Sequence, residues 1–538
     1  MNKTQFQNLY SWSDKHYKKL NLSFLFLALI IFSINIYDIK NFIVDDTFIG
    51  ARYADNLASG YGFSWNYDNH HVFGFSNYLS IVLIALGIKF GFDPVILSKI
   101  ISVIASAISI IIVGYLVKLV TDNNFKYYFI TSILFAVIPE GWLHAISGME
   151  TTLFMMLVIL SSYFYIAFLK KKNVVYPLII FLILSIFSRY EGLLFTIGII
   201  MHQLYLRLGL KKLSPGLRNI MFLVIPFVFI ICLLLWNNYY FGQILPNPFY
   251  VKSSKTVYDI IVNGYYIFRF LVFLSPFVIL SIINIKNNIK NVTTSYFIIQ
   301  TIIFIIPYFF ISQIMNYNHR FYFPISPLII VLGITSFLII KQKFQSESKL
   351  LIVTSITIAF LILYPLNSYS EIKETAYSVA TNLEKAHISI GKTLGSFSEL
   401  KNNVLAVLHD AGAIPYYSHW KTFDYVLNDN YSAKHGFDVK YFYEQNPSVI
   451  VMTFVQKPSI YKIDSTPKED IIKYLIELQH NPNLVKILSD PNFKNYRLIS
   501  VYEYAINYNL YVFVREDLVT DYPELITALR LKSTFDNF

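Results

Sequence analysis

A single cysteine, Cys232, stands in an apolar run, so no intramolecular disulfide can form and cysteine usage gives no redox compartment. Charge is also scarce: 14% of the 538 residues are Asp, Glu, Lys or Arg, against roughly 25% in an ordinary soluble domain, which argues against a soluble enzyme. His16, His70, His71 and the other histidines lack metal-ligand spacing, and Gly60 and Gly62 read as turn glycines rather than a phosphate loop. There is no internal repeat, no low-complexity tract and no inverted symmetry of the transporter kind. The net charge is +11, yet residues 370–538 hold 17 Lys and Arg against 20 Asp and Glu, so the positive excess belongs to the apolar part. Basic residues confined to loops between hydrophobic runs signal membrane topology, not nucleic-acid binding. Tyr and Phe number 42 and 47, an abundance that by itself indicates no aromatic-lined site.

Apolar runs near 20–36, 95–117, 127–139, 150–169, 174–188, 192–206, 219–237, 265–285, 295–313, 324–340 and 350–367 predict a polytopic α-helical membrane protein of about eleven spans. A shorter run, 78–90, ends at Lys89 before Gly91-Phe92-Asp93-Pro94 and is read as lying at, or dipping into, the outer face. Lys170–Lys172, then Arg207, Lys211, Lys212 and Arg218, then Lys286 and Lys290, then Lys341, Lys343 and Lys349 mark the cytoplasmic loops. The N-terminus is then inside and the C-terminus outside. After residue 369 the texture changes: strand patterns at Val404–Leu408, Val449–Phe454, Leu498–Tyr504 and Leu510–Val514 and a helical period from Asp470 to Gln479 predict an extracytoplasmic α/β or α+β domain over 370–538. The membrane domain is expected over 1–369, with its first outer loop at 39–77.

That threading places five polar clusters on the outer side: Asp45-Asp46-Thr47 with Arg52 in the first loop, His144 with Ser147–Thr151 and its Glu150, Arg189-Tyr190-Glu191-Gly192, Tyr240–Pro248 with Lys252, and Asn318-His319-Arg320-Phe321. Each has a structural alternative. Asp45 can cap the helix-like stretch from Thr47 to Ala58. Arg189 and Glu191 can pair at a membrane surface, and Arg320 can reach for headgroups.

The stretch Val44-Asp45-Asp46-Thr47-Phe48-Ile49-Gly50-Ala51-Arg52-Tyr53-Ala54-Asp55-Asn56-Leu57-Ala58-Ser59-Gly60-Tyr61-Gly62 resembles the first-loop signature of multi-spanning GT-C glycosyltransferases, especially the mycobacterial terminal β-(1→2) arabinofuranosyltransferase group. Gly74–Asn77, Ser147–Thr151, Arg189–Gly192, Phe241–Lys252, Arg320–Pro324 and Asp410-Ala411-Gly412-Ala413-Ile414-Pro415-Tyr416 follow in the same order, over most of the chain. Two positions depart: Phe73 stands where that group usually has Glu, and Pro248 where it has Thr.

The resemblance implies an inner-membrane enzyme that takes a sugar from a polyprenyl-phosphate donor to a cell-envelope acceptor, a lipopolysaccharide or cell-wall glycan or a glycolipid, at the outer face. An acceptor hydroxyl must lose its proton as it attacks the anomeric carbon, which suits Asp45 or Asp46 as general base. The departing lipid phosphate needs cations, for which Arg52, Arg189, Lys252 and Arg320 are candidates, with Glu150, Glu191 and His319 as further donor-site residues and Asp410 as the soluble-domain motif. No residue cluster suggests a cation cage, so no metal is expected, with a divalent cation left as an alternative. The competing class is a transporter or lipid-carrier flippase with an accessory outer domain, whose ionisable groups should lie near the bilayer midplane rather than at span ends.

Overall fold

The computed structural model describes residues 3–68, 70–211, 221–251, 256–343, 368–455 and 468–533. Two compact units emerge: Met1–Lys40, Lys99–Leu234 and Lys252–Glu374 form one, and Asn41–Ser98, Leu235–Val251 and Thr375–Phe538 the other.

The chain is a polytopic helical membrane protein with a C-terminal sheet domain. Among the described residues six helices are long and apolar enough to cross a bilayer: His16–Asp38, Pro94–Val120, Thr151–Leu169, Tyr190–Gly209, Val224–Phe241 and Tyr317–Lys341. Val257–Phe273 and Ser275–Ile283 pass the same test together but are bent by 85°. Pro276 sits in the first turn of the second helix, where its missing N–H is harmless but its ring blocks continuation of the helix before it. Tyr78–Ile88, Val175–Ser188 and Thr294–Phe309 are apolar but shorter.

The eleven apolar runs are therefore not eleven span-length helices. Run 127–139 contains only the seven-residue helix Ile130–Ala136, about 10 Å at 1.5 Å per residue, and Pro139 starts a separate helix after it. Run 350–367 lies outside the described residues. Hydropathy counts apolar side chains, whereas prolines decide where a helix must end. Inside the membrane unit, Ser106, Ser109, Ser161 and Ser162 each return their hydroxyl to the carbonyl four residues earlier, so these small buried side chains leave no unsatisfied donor.

The second unit is built on a five-stranded mixed sheet of β1 (Val404–Leu408), β2 (Lys421–Phe423), β3 (Pro447–Phe454), β4 (Tyr496–Ala505) and β5 (Tyr508–Arg515), in the order β2-β1-β3-β5-β4. β1 runs parallel to β2 and β3, while β5 pairs antiparallel with β3 and β4. β4 and β5 form a hairpin whose two-residue loop carries Asn507 in the left-handed region, a conformation Asn tolerates. The Lys468–Leu478 helix buries Ile471, Leu475 and Leu478 at helical spacing in the same core as Ile450, Met452 and Phe513. β2 is three residues long, too short for an alternating pattern to announce it.

The first loop belongs to this second unit. Phe63, Phe75, Tyr78, Trp236 and Phe241 pack as an aromatic cluster, and fully buried Phe73 stacks on Phe241 at 4.3 Å and 7°. Position 73 is thus filled by an apolar ring buried in an aromatic cluster, where an ionised carboxylate would be costly.

Candidate active site

The Asp45-Asp46 pair lies at the start of the Asp46–Ala58 helix, but Asp45 does not cap that helix: its side chain makes no capping bond there. Instead its two carboxylate oxygens accept the backbone N–H groups of Gly412, at 2.8 Å, and Ala413, at 2.7 Å, at the start of the short Ala413–Ser418 helix. The capping alternative is corrected in its target, because the terminus satisfied is one far away in sequence.

Arg52 is corrected as well. It is fully buried, and its guanidinium donates to the carbonyls of Trp65 (2.7 Å), Trp420 (2.9 Å) and Pro415 and to Asn66 Oδ1 (3.2 Å). A guanidinium has five N–H donors in a fixed fork, and with this many given to protein oxygens it ties chain segments together rather than meeting a lipid phosphate.

Asp410 is reached by two residues that sequence spacing did not single out. His387 Nε2 lies 3.1 Å from Asp410 Oδ2, and the Tyr508 hydroxyl donates to the same oxygen at 2.6 Å. Burial pushes the Asp45 carboxyl up to about 6, aided by the nearby charge of Asp410, against the pull of His387 and the Ala413 N–H. Burial opposes the charge on His387, but its bond to Asp410 and the charges of Asp45 and Asp410 outweigh that and hold the imidazole above its ordinary 6.5. Burial likewise raises Asp410, but His387 and Tyr508 outweigh it and bring the carboxyl below its ordinary 3.8.

Asp410 contributes stability above about pH 3.8 that is lost as pH falls through its depressed value, and His387 contributes stability below about pH 6.5 that is lost as pH rises through its elevated one. The contact is therefore strongest between those limits. Histidine C2-hydrogen exchange followed by mass spectrometry on the full chain should place His387 above 6.5, and Asp410→Asn should lower it, leaving only the charge of Asp45 to oppose burial. A wild-type value under 6.5 would contradict the pairing.

The membrane unit gathers four of the expected residues. Glu150 precedes the Thr151–Leu169 helix, Arg189 sits in extended backbone between Ser188 and the Tyr190–Gly192 turn, and Arg320 follows Asn318 and His319, both in left-handed backbone. Each side chain is thus released at a helix break. Gly192 is required at its break, since an added Cβ would lie 2.3 Å from the Ser185 carbonyl carbon. One Glu150 oxygen lies 3.6 Å from Arg189 Nη1 and 3.4 Å from Arg320 Nη2, while Arg189 Nη2 donates to Glu191 at 2.7 Å and the Tyr308 hydroxyl to the same Glu191 oxygen at 3.4 Å. The side chains of Glu150, Arg189 and Arg320 are each less than a tenth exposed. Two guanidinium forks converging on one carboxylate oxygen form an arrangement in which a phosphate oxygen could take the carboxylate's place.

His319 does not join this cluster. Its ring stacks on Phe273 at 5.5 Å and lies 5.8 Å from Phe270. Lys252 lies outside the described residues. Among the described residues no three His, Cys, Asp or Glu side chains converge as metal ligands. A cavity of about 570 Å³ bordered by Asp122, Lys170, Asn287 and Lys290 contains none of the expected residues. Of the residues missed, His387 had no motif spacing and Tyr308 sits in an apolar run, so neither carried a readable signal.

With this geometry in hand, the chain superposes on ArnT from Cupriavidus metallidurans bound to undecaprenyl phosphate with a TM-score of 0.58, at 9% identity over 91% of this chain and 97% of that one. The apo state of the same protein gives 0.54 at 10% identity. The Archaeoglobus fulgidus oligosaccharyltransferase in its apo form gives 0.55, at 10% identity over 91% of this chain and 74% of that one. The fold is GT-C. Residues 371–519 match a family model described as a domain of unknown function, DUF8728. No curated protein matches the sequence. At identities near 10% the likeness is one of fold.

Proposed function

We propose that the chain is a glycosyltransferase that moves a sugar from a polyprenyl-phosphate donor to a cell-envelope glycan or lipid acceptor at the outer face of the inner membrane, with its C-terminal domain extracytoplasmic. The observation that carries this reading is the GT-C fold shared over 91% of the chain with a protein solved in complex with undecaprenyl phosphate. Arg189 and Arg320 hold the donor phosphate, and Glu150 keeps the two guanidiniums together. Asp45 binds the backbone N–H groups of Gly412 and Ala413, and its neighbour Asp46 is assigned as the general base.

In the transfer, the acceptor hydroxyl gives its proton to Asp46 as its oxygen bonds to the anomeric carbon. The bond from that carbon to the phosphate oxygen breaks, and the electron pair leaves with the lipid phosphate, whose growing charge must be met by cations. The resemblance favours a furanose sugar of the arabinofuranosyl type, although Phe73 offers no carboxylate where that group usually has one.

Purified full-length protein in nanodiscs is expected to transfer sugar from a synthetic polyprenyl-phosphate sugar to an envelope-glycan extract, and a deletion strain to accumulate lipid-linked sugar beside truncated surface glycan, both identified by mass spectrometry. In a Cys232→Ser background, a cysteine placed at position 430 should react with a membrane-impermeant maleimide in intact cells. Absence of both precursor and truncation would remove the transferase reading, and labelling only after permeabilisation would invert the topology.

A further inference from the structure

Consecutive Cα atoms are about 3.8 Å apart across a trans peptide, so whatever fixes the backbone at Asp45 also fixes where the side chain of Asp46 begins. Asp45 is held at three points. Its two carboxylate oxygens accept the N–H groups of Gly412 and Ala413, and Gly412 packs so closely that an added Cβ would lie 2.0 Å from the Asp45 carbonyl oxygen and 2.5 Å from Oδ2. The contact continues along the helix: Phe48 meets the rings of Tyr416 and Tyr417, both at 5.5 Å, and Arg52 donates to the carbonyls of Pro415 and Trp420. Residues 45, 48 and 52 are three and four apart, hence on one face of the helix start, and Asp46 stands about 100° further round. Two residues before Gly412, Asp410 is itself held by buried His387 and by Tyr508.

We propose that the 410–420 segment of the C-terminal domain is the positioning element of the transfer reaction: it grips Asp45, through an approach only glycine permits at position 412, and so orients Asp46 towards the acceptor hydroxyl. The assignment rests on the glycosyltransferase reading for its chemistry, but the grip can be measured without it. It gives the C-terminal domain a part in turnover and makes Asp45 a positioning residue, its neighbour being the one that takes the proton.

The test uses the full chain in nanodiscs. Gly412→Ala must push the Asp45 carbonyl away, and a displacement of about 1 Å at a reacting group can cost on the order of 10²-fold in rate. Turnover is expected to fall by that order while the KM for a polyprenyl-phosphate sugar stays within about twofold, because the donor phosphate is held elsewhere. A purely structural role would lower the folded fraction and leave the turnover number of the folded protein unchanged. Should Gly412→Ala not fold, Asp45→Ala is read in its place, with Asp45→Asn, which keeps one acceptor oxygen, expected to fall between it and the wild type. Independently of activity, hydrogen exchange at the Gly412 and Ala413 amides should quicken about tenfold or more in Asp45→Ala. Wild-type turnover in Gly412→Ala or Asp45→Ala would overturn the positioning role, and unchanged protection at 412–413 would overturn the grip itself. A wild-type protein that transfers no sugar, with protection at 412–413 lost as expected, would instead sink the glycosyltransferase reading and leave the grip standing.

Discussion

Replacing Asp46 by Asn is expected to lower turnover per folded molecule by roughly 10²–10⁴, the usual contribution of a positioned general base. Asn keeps the size and one acceptor oxygen of the carboxylate but cannot take a proton at neutral pH. The effect should therefore appear in kcat, with the donor KM unchanged. Asp45→Asn differs in kind. It replaces one of two oxygens that receive backbone N–H groups by an amide nitrogen that faces a donor, which strands a buried N–H and costs about 1–3 kcal/mol. A lower thermal midpoint should accompany its loss of turnover. Both are read on purified protein at matched folded fraction. If Asp46→Asn turns over at near the wild-type rate in an assay where the wild type is active, the base is not in the first loop.

The second large effect is expected in the membrane unit. Arg320→Ala should lower kcat/KM by on the order of 10²–10³, because a cation facing the donor phosphate meets a charge that exists in the ground state and grows as the phosphate departs. Affinity for a non-transferable donor analogue should fall with it. Glu150→Gln acts differently. Glu150 stands between two guanidiniums, and losing its charge leaves Arg189 with Glu191 but removes the 3.4 Å ion-pair partner of Arg320. Breaking a buried ion pair at one partner costs about 3–5 kcal/mol, so the yield of folded protein should drop sharply. Adding polyprenyl phosphate should restore part of it, since a ligand anion bound only by the folded state stabilises that state. If Arg320→Ala leaves analogue affinity and turnover unchanged, Arg320 serves the helix end and the phosphate is held by other groups. No rescue of Glu150→Gln by polyprenyl phosphate would point the same way.

Much of this protein was legible before any coordinates, for identifiable physical reasons. Hydropathy and loop charge are local properties, so the membrane class, most apolar helices and the change of texture near residue 370 are written in the composition itself. Strand patterns at 404–408 and 498–504 were equally readable, because alternation and β-branching act over a few residues. The Glu150, Arg189, Glu191 and Arg320 cluster was marked out by charges at span ends, where unpaired ions are too costly to be incidental.

What the sequence could not determine depends on encounters between distant segments. Asp45 followed by a helical stretch looks like a cap for its own helix, and only folding brings Gly412 and Ala413, more than 360 residues away, to its oxygens. Arg52 looks like a cation for a phosphate until four protein oxygens surround its guanidinium. His387 carries no motif at all, and its role arises because burial beside Asp410 makes its charge worth keeping. The sequence by itself determined which groups are charged and which segments are apolar. Only the tertiary structure decided which charge meets which partner, because in a low-dielectric interior the energy of a charge is set by the few atoms within hydrogen-bonding distance, and chain order does not name those atoms.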